Sequence, residues 1–211
     1  HRDLHSFPTR RSSDLYLKQA KLKGGVAISF DNRHYSKNFA KEAAMVLAAE
    51  GIPTYLFHEL RPTPMLSFAV RHFKCSGGIM ITASHNPKEY NGYKVYDATG
   101  AQVNLETAER ILEEINHVEN PFEIDVLDND LIHTIDQSFD QIYLHEVEKI
   151  QLSPKAPKIK IVYSPLHGTG GTVIPDLLKI IGHHVYPLQS HMEVDPNSSQ
   201  TKSSTPEIDR A

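Results

Sequence analysis

Ser84 ends an apolar run, Gly78-Ile79-Met80-Ile81-Thr82-Ala83, and is followed by His85-Asn86-Pro87 and, further on, by Lys94. A hydroxyl held where a strand stops becomes a nucleophile if one group removes its proton and another neutralises the charge that develops. Acyl chemistry would ask for a Gly-x-Ser-x-Gly elbow, and Thr82-Ala83-Ser84 lacks its glycines. Phosphoryl transfer asks for less covalent machinery and more positioning, with cations around the equatorial oxygens. Arg33 offers a planar fork that matches a phosphate, and Lys94 a compact charge that can move a proton. By spacing alone Ser-His-Asn-Pro is also a plain polar turn, since Asn-Pro initiates turns.

For these groups to meet, a sheet must carry them to one edge. The run Val26–Phe30 is short and β-rich. A helical pattern follows, with Phe39, Ala43, Ala44 and Leu47 on one face, Ser36 as its N-cap and Gly51 as its stop. "IPTYLFHE" is the next strand, Thr63-Pro64 opens the next helix, and "GGIMITA" is a third strand, apolar throughout as in a sheet covered on both faces. Strand–helix–strand–helix–strand implies right-handed crossovers and a mostly parallel sheet. "YKVYD" alternates and suits an antiparallel edge, and "LETAERILEEINHV" is an amphipathic helix with Leu105, Ala108, Ile111, Leu112 and Ile115 on one side. The acidic "ENPFEIDVLDNDLIHTIDQS" reads as a connection. A helix, the strand "KIKIVYS", the loop "PLHGTGG", a helix and the strand "HHVYPLQ" then start a second unit near residue 137.

The expected architecture is therefore α/β, a three-layer αβα domain with a mostly parallel sheet over 16–136, then a second, incomplete α/β domain over 137–211. Residues 1–15 fit no element and are expected to be a disordered or foreign leader. In open parallel sheets ligands gather at the carboxyl ends of the strands. That selects three loops: Asp31-Asn32-Arg33-His34, Ser84-His85-Asn86-Pro87, and His167-Gly168-Thr169-Gly170-Gly171.

Composition narrows the partners. The formal net charge is −4 and no basic stripe with interleaved aromatics occurs, which argues against nucleic acid. No stretch has the apolar length of a membrane span. Cys75 is the only cysteine, so no internal disulfide can form, and a reducing, cytoplasmic setting is expected.

"TASHNP" followed by "YNGYK" resembles the phosphoserine loop of the α-D-phosphohexomutases, the phosphoglucomutase and phosphomannomutase family. "DNRHYS" is similar to the family's first-strand arginine loop, "RPTPMLSFAVRH" to its threonine-proline helix start, and "SPLHGTGG" to the opening of its second domain. The resemblance implies that Ser84 carries a phosphoryl group between the hydroxyls of a sugar, through a sugar bisphosphate. A hexose (or pentose) 1-phosphate and 6- (or 5-) phosphate would thereby be interconverted. It also implies that Lys94 transfers protons, that Arg33 and Lys94 contact the substrate, and that His85 hydrogen-bonds the phosphate or orders the loop. Mg²⁺ is implied on a phosphoserine oxygen of Ser84. The variant "SHNPKEYNGYK" leans towards the phosphoglucomutase or phosphopentomutase branch. "DPNSSQTKSSTPE" resembles a degraded form of the run preceding the family's Asp-x-Asp-x-Asp-Arg metal loop, which does not occur before Ala211. The expectation is an N-terminal fragment with little or no turnover of its own.

The rival reading is a non-catalytic α/β module that binds a phosphorylated ligand. Asp125, Asp128 and Asp130 lack the glycines and arginine of a metal loop and read as a solvated face. The glycines of "HGTGG" match neither the dinucleotide nor the Walker fingerprint and read as a packing turn. His183-His184 reads as a surface turn, and Cys75 as a small core residue.

Overall fold

The computed structural model describes residues 24–84, 86–87, 89–116, 125–153 and 158–197. The leader, His85 and the run from 198 onward lie outside the described residues.

Five strands form the first sheet: β1 (Val26–Phe30), β2 (Thr54–Phe57), β3 (Gly77–Ile81), β4 (Tyr93–Asp97) and β5 (Ile132–Ile135), in the order β4-β3-β1-β2-β5. All pairs are parallel except β3–β4. Every residue of β1 and β3 is buried, as the unbroken apolar runs require of central strands covered on both faces. Helix α1 (Ser36–Ala49) covers one face through Ala40, Ala44 and Leu47, packed with Ile28, Ile79 and Ile81. Helix α2 (Thr63–His72) covers the other through Met65, Leu66, Ala69 and Val70, packed with Ala27 and Met80. Buried among these, Cys75 has its thiol pushed up to about 12 by desolvation, which keeps it an inert core residue.

Three local readings change. Tyr35, with φ 62°, takes the N-cap position of α1 without a side-chain cap bond, and Ser36 turns its hydroxyl to Asp31. The acidic connection contains β5, paired with β2 along its whole length. Its four residues are too few to rise out of an acidic background as a period. Helix α3 (Leu105–Asn116) buries Ile111 but leaves Leu105 83% and Leu112 56% exposed. Periodicity shows which face of a helix is apolar, and among its described residues Leu105 and Leu112 stay uncovered while Ile111 is buried.

Helix α4 (Ser138–Glu148), read from the sequence as opening the second unit, packs on the first. Phe139 lies edge-on to Phe57 and within ring contact of Phe68 and Phe73. Asp140 receives both forks of Arg61, each at 2.8 Å, with Arg61 only 2% exposed. Val173, Ile174 and Leu177 join the same cluster, so packing is continuous across residue 136. Beyond α4 come β6 (Lys160–Tyr163), a 3₁₀ turn (Thr169–Thr172), α5 (Ile174–Ile180), β7 (His184–Pro187) and α6 (Gln189–Met192). Strands β6 and β7 pair in parallel, as the βαβ pattern predicts. Among the described residues no helix is long and apolar enough to cross a membrane.

Candidate active site

The site begins with a hairpin. β4 follows β3 after one short loop, so it must return antiparallel. Its register sets Lys94 opposite Met80 and Tyr93 opposite Ile81. The loop that makes this turn is the Ser84 loop, and the pairing returns Lys94 to it. Lys94 Nζ donates to Ser84 Oγ at 2.5 Å. The two groups singled out by chemistry are thus in direct contact, and the serine is exposed.

Ser84 sits in the left-handed region at φ 58°. For a residue with a β-carbon that conformation costs about 1–2 kcal/mol and persists only where the surroundings hold it. Both sides of its backbone are held. Its N–H donates to Thr82 Oγ1 at 3.0 Å, and its carbonyl accepts from Arg33 Nη2 at 2.7 Å.

Arg33 comes from the loop after β1, the strand next to β3, so parallel pairing puts both loops at one sheet edge as expected. Its guanidinium points at the Ser84 loop's backbone. Nη2 also donates to the Asn86 carbonyl at 2.7 Å, and Nη1 donates to the carbonyls of Pro87 and Tyr90 at 2.8 and 3.0 Å. Nε donates to Asp31 Oδ2 at 3.2 Å. The five N–H donors of the side chain are all engaged.

Asp31, Ser36, Asn91 and Gly92 complete the support, and sequence reasoning missed their roles. Asp31 Oδ1 accepts from the Arg33 backbone N–H at 3.0 Å and from the Ser36 hydroxyl at 2.8 Å. Asn91 Nδ2 donates to Ser36 Oγ at 2.8 Å and to the His34 carbonyl at 3.1 Å, while its Oδ1 accepts from Gly92 N–H. A β-carbon on Gly92 would lie 2.6 Å from the Thr82 carbonyl oxygen, so only glycine lets the returning chain pass. The signal available was Asp31 two residues before Arg33, an Asx turn at a strand end.

The third loop reaches the same mouth. Asn32 Nδ2 donates to the His167 carbonyl at 2.7 Å, and His34 Nε2 lies 3.1 Å from Asn197 Oδ1. His167, also left-handed at φ 62°, is buried, and its Nε2 has no partner.

No group of three or more His, Cys, Asp or Glu suited to a metal occurs among the described residues. Asp125 and Asp130 are exposed, and Asp128 pairs with Lys41 at 3.0 Å. Asp31, the carboxylate of the serine mouth, is taken by Arg33 and Ser36. These residues do not by themselves make a Mg²⁺ site.

The family model for the phosphoglucomutase/phosphomannomutase α/β/α domain I matches residues 13–122, more than half of the chain. The chain belongs to this family. The phosphoglucomutase/phosphomannomutase relatives include the phosphoglucomutase of Staphylococcus haemolyticus, 41% identical over 198 residues, which covers 91% of this chain and 36% of that protein. The phosphoglucomutase of Staphylococcus aureus is 37% identical over 202 residues, covering 93% and 36%. The chain thus spans about a third of the length of the curated relatives it matches. Among solved structures, a putative phosphomannomutase from Thermus thermophilus aligns with TM-score 0.78 at 26% identity over 94% of this chain and 44% of that one. The open form of the Paramecium phosphoglucomutase parafusin shares the fold, with TM-score 0.67 at 18% identity over 92% of this chain and 41% of that one.

Proposed function

We propose that Ser84 is the phosphoryl carrier of a phosphohexomutase and that Lys94 moves its proton. The observation that carries this reading is the 2.5 Å contact between Lys94 Nζ and Ser84 Oγ at the exposed end of the β3–β4 hairpin. Attack of Ser84 Oγ on a phosphoryl group of a hexose bisphosphate forms the Oγ–P bond and breaks the bond from phosphorus to the sugar oxygen. Lys94, in contact with the hydroxyl, takes up the serine proton and returns it to the departing sugar oxygen. Phosphorylated Ser84 then meets a hexose 1-phosphate and gives its phosphoryl group to the free 6-hydroxyl, which regenerates the serine hydroxyl and a bisphosphate; transfer of the 1-phosphoryl group of that bisphosphate to Ser84 leaves the 6-phosphate. Fixing the nucleophile and its proton partner in contact removes orientational freedom before the reaction begins, a large share of the barrier in transfers of this kind. Phosphorylated Ser84 would offer its phosphoryl oxygens to Mg²⁺, which is expected from the resemblance. The glucose series is the first to test, since the curated relatives quoted above are named phosphoglucomutase. A cytoplasmic location accompanies this reading, because the one thiol is buried and unpaired.

Incubation of the chain with glucose 1,6-bisphosphate, followed by peptide mass spectrometry, tests the proposal. Phosphate is expected on Ser84 and absent in Ser84→Ala. Phosphate on another residue, or on none, refutes it. The absence of a carboxylate cluster among the described residues favours the rival, a module that only binds phosphorylated sugar. Saturable binding of the bisphosphate with no label on Ser84 would decide for that rival.

A further inference from the structure

We propose that His167 is an acid-release latch: neutral, it holds the loop after β6 against the first unit, and taking up a proton frees that loop. His167 is 3% exposed, and the phosphoryl transfer proposed above does not use it. It ties three segments together. Its N–H donates to the His191 carbonyl at 3.0 Å, its own carbonyl accepts from Asn32 Nδ2 at 2.7 Å, and its Nδ1 lies 2.9 Å from the Glu193 carbonyl. A carbonyl oxygen can only accept, so Nδ1 carries the ring hydrogen and Nε2 keeps a bare lone pair. That nitrogen is buried and has no partner. A proton arriving there would make a cation whose second N–H meets no acceptor, in a place closed to water.

The titratable groups on the surrounding elements do not supply the missing acceptor. Glu193 is an exposed residue that meets the ring through its backbone, and Asp195 Oδ1 accepts from the Asn197 N–H. Across Asn32, Asp31 is taken by Arg33 and Ser36, and His34 meets Asn197. On α5, Asp176 and Lys179 pair with each other, and on β6 burial pushes the Tyr163 phenol up and keeps it neutral. His191, in ring contact at 5.3 Å, supplies the contrast. Its Nδ1 lies 2.8 Å from Ser164 Oγ, and a hydroxyl can donate to a neutral ring nitrogen or, turned round, accept from a protonated one. His191 therefore has room for a proton where it stands, and His167 does not. By linkage, the state that binds more protons gains as pH falls, and here that state is the released loop. Docking is complete on the alkaline side of the histidine range and is lost on the acid side. The Asn32 bond goes with it, so acid loosens the hold between the second unit and the loop after β1.

The test is amide hydrogen exchange at about pH 8 and about pH 5.5, expressed as protection factors so that the intrinsic pH dependence of exchange is removed. In the unaltered chain, protection over residues 164–173 should fall by about tenfold or more at the lower pH, while β1 and β3 keep theirs. His167→Asn keeps an N–H donor for the Glu193 carbonyl, tolerates the left-handed φ of 62° and cannot titrate, so its loss should shrink to less than about twofold. His191→Asn should keep the full loss. Equal protection of the unaltered loop at both pH values overturns the latch. So does a loss abolished by His191→Asn and retained by His167→Asn. If His167→Asn leaves the loop unprotected at both pH values, the ring nitrogen signals of the unaltered chain decide. A neutral Nδ1–H ring at about pH 8 whose protonation coincides with release of the loop supports the latch, and a protonated ring in a loop that stays protected overturns it.

Discussion

Among the described residues Tyr35, Lys74, Ser84, Leu166 and His167 take the left-handed conformation, and the loops of Ser84 and of Leu166-His167 are secured by different means. In the first unit Ser84 is pinned by side chains, Arg33 at its carbonyl and Thr82 at its N–H, so its geometry depends on one residue far off in sequence and one close by. In the second, Leu166 and His167 have φ values of 49° and 62°, and backbone and side chains share the holding, with Ser164 Oγ accepting from the Leu166 N–H at 3.2 Å and Asn32 donating to the His167 carbonyl at 2.7 Å. The His167 N–H donates to the His191 carbonyl at 3.0 Å, and Gly168 N–H to that of Pro165 at 2.9 Å. The first loop presents a hydroxyl to solvent; the second buries an imidazole whose Nε2 has no partner. Side-chain fixing suits a loop that must place one reactive atom, because single residues can then set its angle. The second loop adds backbone ties to its side-chain ones, and the tie from Asn32 couples it to the serine mouth.

The largest effect expected from this contrast concerns Lys94. Lys94→Met keeps much of the side-chain bulk and removes the proton carrier, so Ser84 phosphorylation should slow by about 10²–10⁴-fold. Single-turnover labelling checks it, and an unchanged rate would make the two loops functionally alike. Next comes the tie between the units. Asp140→Ala takes the bidentate partner from the buried Arg61 guanidinium and leaves only Glu59, 3.6 Å away, as counter-charge, which should destabilise the chain by about 3 kcal/mol, read by urea denaturation. Loss confined to β6–β7, with the first sheet intact, would return α4 to the second unit. The smallest effect sharpens the contrast directly. Leu166→Asn places a residue that tolerates the left-handed region where leucine is strained, and should raise stability by about 0.5–1 kcal/mol. Thermal melting measures it, and a loss of stability would mean that the leucine side chain is needed there.

Much of this was readable from residues in a row. The runs of β1 and β3, the polar breaks after them, Gly51 at the end of α1 and the alternation of β4 are local signals, and each produced the element it implied. Ser84 and Lys94 could be paired because a hairpin is a local device. The acceptors of Arg33 lie 51 to 57 residues along the chain, and the partner of Arg61 lies 79 along. The residues around Arg33 in the sequence do not show that its donors reach the carbonyls of another loop. β5 was hidden because Ile132-His133-Thr134-Ile135 is short and follows an acidic stretch. α3 was overread because its apolar stripe does not reveal whether anything lies against it.

The Asn32 amide gives the mouth a mechanical property. It spans 2.7 Å to the His167 backbone and stands immediately before Arg33 in the chain. A hydrogen bond of that length is lost once its ends part by about 1 Å. Rocking of β6 and its loop away from the first sheet can therefore go no further at this point before the tether snaps or drags the neighbouring guanidinium with it. The loop after β6 and the loop of the nucleophile are thus tied to two adjacent residues, Asn32 and Arg33.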